Sequence, residues 1–148
     1  METKLIKLDD LIPVIRETLA EGGSFEININ GTSMLPLLKA GRDTVTLSPV
    51  TGNLKKYDIP LFQRADGAYV LHRIIKAGDG IYTVCGDNQW KKETGITQGQ
   101  IIAAVSEIKR GGRTVSVDSF GYKLYCRVWH LLFPVRKYIV KAKGKLAK

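Results

Sequence analysis

Tyr69-Val70-Leu71-His72-Arg73-Ile74-Ile75 is an apolar run with one polar pair inside it. It is followed by the turn signal Gly78-Asp79-Gly80, a second apolar run Ile81-Tyr82-Thr83-Val84-Cys85, and a second turn, Gly86-Asp87-Asn88. Runs this short, rich in β-branched and aromatic residues and bounded by Gly and Asp, predict β-strands and not helices. The pattern extends both ways. Upstream, Phe25, Ile27 and Ile29 alternate with polar neighbours up to Asn30-Gly31, and Thr44–Leu47 and Ile59–Gln63 follow; downstream come Ile101–Lys109 and Thr114–Val117 around Gly111-Gly112. Helical spacing is confined to the two ends. Leu8, Leu11, Ile12, Ile15 and Leu19 predict a short helix over about 9–21, with Asp9 or Asp10 to cap it and Gly22-Gly23 to stop it. The expectation is a mainly β, compact, barrel-like or sandwich-like domain over 1–119, followed by a helical tail over 120–148 interrupted near Pro134.

At 148 residues the chain suits one domain of ordinary size, long enough to bury a core, and not two domains. Its formal charge of +9 is uneven: residues 122–148 hold eight basic side chains and no acidic one, which leaves the first 121 residues at +1. Any affinity for polyanions is thereby assigned to the tail. Leu124, Tyr125, Val128, Trp129, Leu131, Leu132, Val135 and Ile139 lie there among Arg127, Arg136, Lys137, Lys141, Lys143, Lys145 and Lys148. That composition fits either a terminal helix packed on the domain or an amphipathic helix lying on an anionic membrane surface. Nucleic acid is not expected as a partner, because no reading module accompanies the charge. The opening Met1–Lys7 lacks the apolar core of a secretory signal, and Leu124–Val140 is broken by charges and Pro134, so no spanning helix is expected. The implied location is cytoplasmic, with peripheral contact at the inner membrane face.

Cys85 and Cys126 form no CxxC pair and read as reduced thiols. His72 and His130, the two histidines, have no ligand cluster around them, so neither a metal nor a cofactor is expected. A nucleophile-base-orienter arrangement needs only one histidine, and the sequence offers one in a suitable setting. Asn30-Gly31-Thr32-Ser33-Met34-Leu35-Pro36 places Ser33 on a loop after a strand, where it is either a turn serine or an accessible nucleophile. His72 is either a packed strand residue or a base. Asp87 is either a turn carboxylate or the group that orients that base.

Taken in order, five boxes resemble the serine peptidase clan of signal peptidases and LexA-type repressors. They are Gly31-Thr32-Ser33-Met34-Leu35-Pro36, Gly41-Arg42-Asp43-Thr44-Val45, Tyr57-Asp58-Ile59-Pro60-Leu61-Phe62, Val70-Leu71-His72-Arg73-Ile74 and Gly86-Asp87-Asn88, within about 25–110. The resemblance implies that fold and a serine endopeptidase acting on polypeptide. Ser33 would be the nucleophile, His72 the general base (as in the histidine-type signal peptidases) and Asp87 its orienter. Ser33, through its amide, Met34 and Pro36 become candidates for the oxyanion site and substrate groove. The chain departs from the family in Gly31, where some members carry a hydroxyl donor, in Arg42, and in Pro60, which points to an edge strand or a bulge. No anchor precedes Ser33, so a membrane-protein partner is a further open expectation. The alternative reading is a non-catalytic peptide-binding or regulatory protein of the same fold, akin to self-cleaving phage repressors.

Overall fold

The computed structural model describes residues 8–146, with side chains through residue 142; the charged opening Met1–Lys7 and the lysines Lys143, Lys145 and Lys148 of the tail lie outside the described residues and side chains. Helix α1 (Leu8–Ala20) sinks Ile12, Ile15 and Leu19 into the core. It precedes strands β1 (Phe25–Asn28), β2 (Asp43–Ser48), β3 (Pro60–Gln63), β4 (Tyr69–Leu71), β5 (Arg73–Gly78), β6 (Ile81–Cys85), β7 (Glu93–Thr97), β8 (Ile101–Arg110) and β9 (Arg113–Ser116), and the chain ends in helices α2 (Phe120–Leu131) and α3 (Phe133–Leu146). The fold is mainly β with three helices, as the turn-punctuated sequence predicts. None of the described helices is long and apolar enough to cross a membrane.

Two antiparallel sheets share the work. The larger runs β1-β2-β8-β3-β4, with β9 also on β8, and curls into a half-barrel; the smaller is β5-β6-β7. Long strand β8 is the spine: it pairs β2 along Ala104–Arg110 on one side, and β3 and β9 in succession on the other. The main core, including Ile15, Leu38, Val45, Leu47, Leu61 and Ala103, fills the concave side of this sheet. A second cluster of Phe62, Ile74, Tyr82, Val84 and Ile96 lies against the small sheet.

Of the two expectations at Pro60 the bulge is found and the edge strand is not: Pro60 opens β3, an interior strand between β8 and β4, where the missing N–H falls on the first residue and the register slips directly afterwards, between Leu61 and Phe62. The run Tyr69–Ile75 is also not one strand. It breaks at His72, where the chain leaves the large sheet and enters the small one, because β4 pairs with β3 while β5 pairs with β6.

Candidate functional site

Ser33 lies in the turn that follows β1. Gly31, at φ +76°, bends the chain there in a conformation that a side chain would resist. Beyond it Met34 and Leu38 drop into the core, and the Leu38 N–H donates to the Met34 carbonyl at 2.9 Å. Between the exposed Thr32 and the buried Met34, Ser33 is left half-buried at the rim. The far end of the same loop is tied down by the buried Asp43 carboxylate, which accepts from the Lys39 N–H (2.9 Å), Arg42 and Arg110. Burial alone would raise this carboxyl, but its two arginines and the amide hold it down at about 2. Arg42, which stands between Gly41 and Asp43, is thus one of the partners of Asp43.

The Gly86-Asp87-Asn88 turn grips the near end of that loop through main chain. The Asn88 N–H donates to the Ser33 carbonyl at 2.9 Å, and the Asp87 N–H points to Met34 Sδ at 3.4 Å. Gly86 permits this approach: a Cβ there would stand 2.5 Å from the Ser33 carbonyl oxygen. The first and last sequence boxes, more than fifty residues apart, therefore meet as the Ser33 turn and its clamp.

His72 stands at the sheet junction with 5% of its surface exposed and its ring edge-on to Phe62, centroids 6.3 Å apart. Burial lowers its pKa to about 4, with the Arg64 charge pushing the same way. Arg64 is itself fixed by a forked pair with Glu93, at 2.9 and 3.1 Å. The ring lines two adjoining clefts. One, of about 420 Å³, is bordered by Ile27–Asn30, Ser33, Met34, Tyr69–Leu71 and Gln89; the other, of about 450 Å³, by Arg64 and Asn88–Glu93. Ser33 and His72 therefore share the first cleft. It lies between β1 and β4, the two end strands of the large sheet.

Asp87 is placed differently from its expected role. It is fully buried, and its carboxylate accepts from Arg73 Nε (2.8 Å), Arg73 Nη2 (3.0 Å) and the Tyr125 hydroxyl (2.7 Å). The Trp129 indole N–H also donates to its carbonyl at 2.8 Å. No hydrogen bond among the described residues joins Asp87 to His72, or His72 to Ser33. The cause is alternation: successive residues of an extended chain point to opposite sides, so Arg73 turns inward as His72 turns to the cleft, and Arg73 takes the carboxylate. Arg73 also donates to the Tyr57 carbonyl, the Tyr122 hydroxyl and Cys126 Sγ, which completes a buried network.

Sequence reading named Ser33, His72, Asp87, Met34 and Pro36 but passed over Arg73, Arg64, Glu93 and Gln89. For Arg73 a signal existed, since an arginine inside an apolar strand needs an acidic partner. For Arg64 and Glu93, 29 residues apart in the chain, none did. Cys85 and Cys126 are buried free thiols whose pKa values burial pushes up, which suits packing and not nucleophilic attack. His130 packs edge-on against Tyr57, away from Ser33.

A scan against models of known protein families finds no match for this chain, and a search of curated proteins finds none either.

Proposed function

We propose that this chain is a serine endopeptidase with the fold of the signal peptidases and LexA-type repressors, in which Ser33 attacks a peptide carbonyl and His72 is the general base. The observation that carries the reading is that Ser33 and a buried, unprotonated imidazole line one cleft, with the Ser33 turn clamped by Gly86-Asp87-Asn88. His72 takes the Oγ proton as Oγ bonds to the carbonyl carbon, then returns it to the leaving amine; water and the same base release the acyl group. The Ser33 N–H makes no main-chain hydrogen bond among the described residues and serves as an oxyanion donor. Asp87 acts at one remove, through Arg73 and through the clamp, by holding the strand of the base and the turn of the nucleophile to one another. An extended polypeptide is the substrate, because the cleft lies between two end strands of a sheet, whose edges offer unpaired main-chain groups.

A second reading has its own support: no hydrogen bond among the described residues fixes the His72 ring, and a base with a pKa near 4 is a weak one. On that reading the groove holds a peptide without cutting it, or cuts only its own chain. Mass spectrometry of peptides with small residues before the scissile bond, incubated with wild type, Ser33→Ala and His72→Ala, separates the readings. Cleavage by wild type alone supports the peptidase; equal cleavage by all three ends it. Binding without cleavage by wild type and Ser33→Ala alike favours the second reading.

A further inference from the structure

Helices α2 and α3 bury one side and leave an apolar one open. In α2 the buried residues are Tyr122, Cys126 and Trp129, and in α3 the buried residue is Arg136, stacked over the Trp129 and Phe133 rings. On the outside stand Phe120 (81% exposed), Leu124, Val128 and Leu131 (78%) of α2, and Val135 and Tyr138 (69%) of α3. Their spacings of three and four residues place the α2 set within an arc of roughly 80° at 3.6 residues per turn, opposite the buried set. The one-residue joint keeps the helices in near continuity, since the Leu132 N–H still donates to the Val128 carbonyl at 3.1 Å. Large exposed apolar side chains at this density are not ordinary for a surface helix.

The charge carried by the two helices has one sign. Lys123, Arg127, Lys137 and Lys141 are exposed on them and no acidic residue follows Asp118 in the chain, while Asp58 and Asp118 share a cleft with Lys123 and Arg127 at the start of α2. The pairing of an apolar stripe with helices that carry only cationic charge matches a bilayer carrying anionic headgroups, whose acyl boundary takes the first and whose surface takes the second. Neither helix is long and apolar enough to cross, so the geometry is that of a helix lying in the interface.

We infer that the outward face of α2 and α3 is a docking surface for an anionic lipid bilayer. This stands independently of whether the cleft cuts peptides. The test is flotation of the full chain with vesicles of phosphatidylcholine, or of phosphatidylcholine mixed with phosphatidylglycerol. Wild type is expected to float with the mixed vesicles, and less so as salt is raised. Leu124→Ser with Leu131→Ser, both exposed and so tolerable for folding, should cut partitioning roughly tenfold or more. Lys123→Gln, Arg127→Gln, Lys137→Gln and Lys141→Gln together should cut it roughly a hundredfold or more and abolish the preference for anionic lipid. Circular-dichroism melts of each variant matching wild type confine the effect to the surface. Failure of wild type to float with mixed vesicles overturns the inference, as does binding that ignores these substitutions. Concentration-dependent dimerisation without lipid, abolished by the same leucine changes, would instead assign the face to a second copy and equally overturn it.

Discussion

Asp87→Asn keeps the shape of the side chain and removes its charge, which separates a structural carboxylate from one that orients a catalytic base. Arg73 is 2% exposed and Asp87 fully buried, and both guanidinium–carboxylate contacts are at or below 3.0 Å. Neutralising one partner leaves a guanidinium out of water with only neutral groups, Tyr57, Tyr122 and Cys126, to meet it. Breaking such a buried pair costs about 3–5 kcal/mol. Against a total stability of about 5–15 kcal/mol this is about a fifth or more, and at about 2–4 °C per kcal/mol the melting midpoint should fall by roughly 6–20 °C. Urea titration should show a lower midpoint at unchanged slope. Arg73→Met in the Asp87→Asn background should return a sizeable part of the loss, because no unpaired charge then stays buried; the double-mutant cycle measures that coupling directly. If Asp87→Asn kept the wild-type midpoint and slope while losing peptide cleavage, the carboxylate would be serving His72 and not Arg73, and the reasoning from the buried pair would be refuted.

Gly86→Ala sets a methyl against the Ser33 carbonyl oxygen at 2.5 Å, so the clamp must open; about 1–3 kcal/mol of stability should be lost, and kcat/KM should fall by more than the fraction unfolded explains. An alanine variant with wild-type melting and turnover would disprove the close approach. For His72 the sign is fixed by its depressed pKa of about 4 against an unfolded value of about 6.5: between these the unfolded chain binds the proton first, so its stabilising contribution is complete above pH 6.5 and is lost as pH falls to about 4, amounting to about 3 kcal/mol. His72→Gln should reduce the slope of that part of a urea-midpoint profile, leaving the smaller share of His130, which burial also depresses, and leave the lower window, set by Asp43 between its ordinary value and about 2, in place. The acid limb of kcat/KM should fall near pH 4 for the same reason, and a limb near 6.5 would contradict the burial of the ring.

Alternation and turn residues made most of the strands legible: Ile81–Cys85 coincides with β6, and Ile101–Lys109 and Thr114–Val117 match β8 and β9 to within a residue at each end. Strand β7 was not legible, because Glu93–Thr97 buries a single apolar residue, Ile96, and owes its conformation to pairing with β6. The break at His72 was hidden for a related reason: Tyr69–Ile75 is uniformly strand-like, and only distant partners decide that its halves join different sheets.

The charge division at residue 121 is not a division of the structure. It separates a near-neutral body from a basic end, but Tyr122, Tyr125, Cys126 and Trp129 reach from that end into the Arg73–Asp87 network directly behind the cleft. Composition grouped Leu124, Tyr125, Val128, Trp129 and Leu131 into one apolar stripe; the fold splits them, with Trp129 inward and Leu124, Val128 and Leu131 outward. A helix with apolar residues on more than one side does not declare which side faces the core, since that depends on what the core offers. Here it offers a buried arginine and its carboxylate, and the residues that turn inward are those with a hydroxyl, a thiol or an indole N–H to meet them. The purely aliphatic residues of α2 have nothing to contribute to that network, and the lipid surface proposed for them follows from the same polar requirement that places Asp87 beside Arg73.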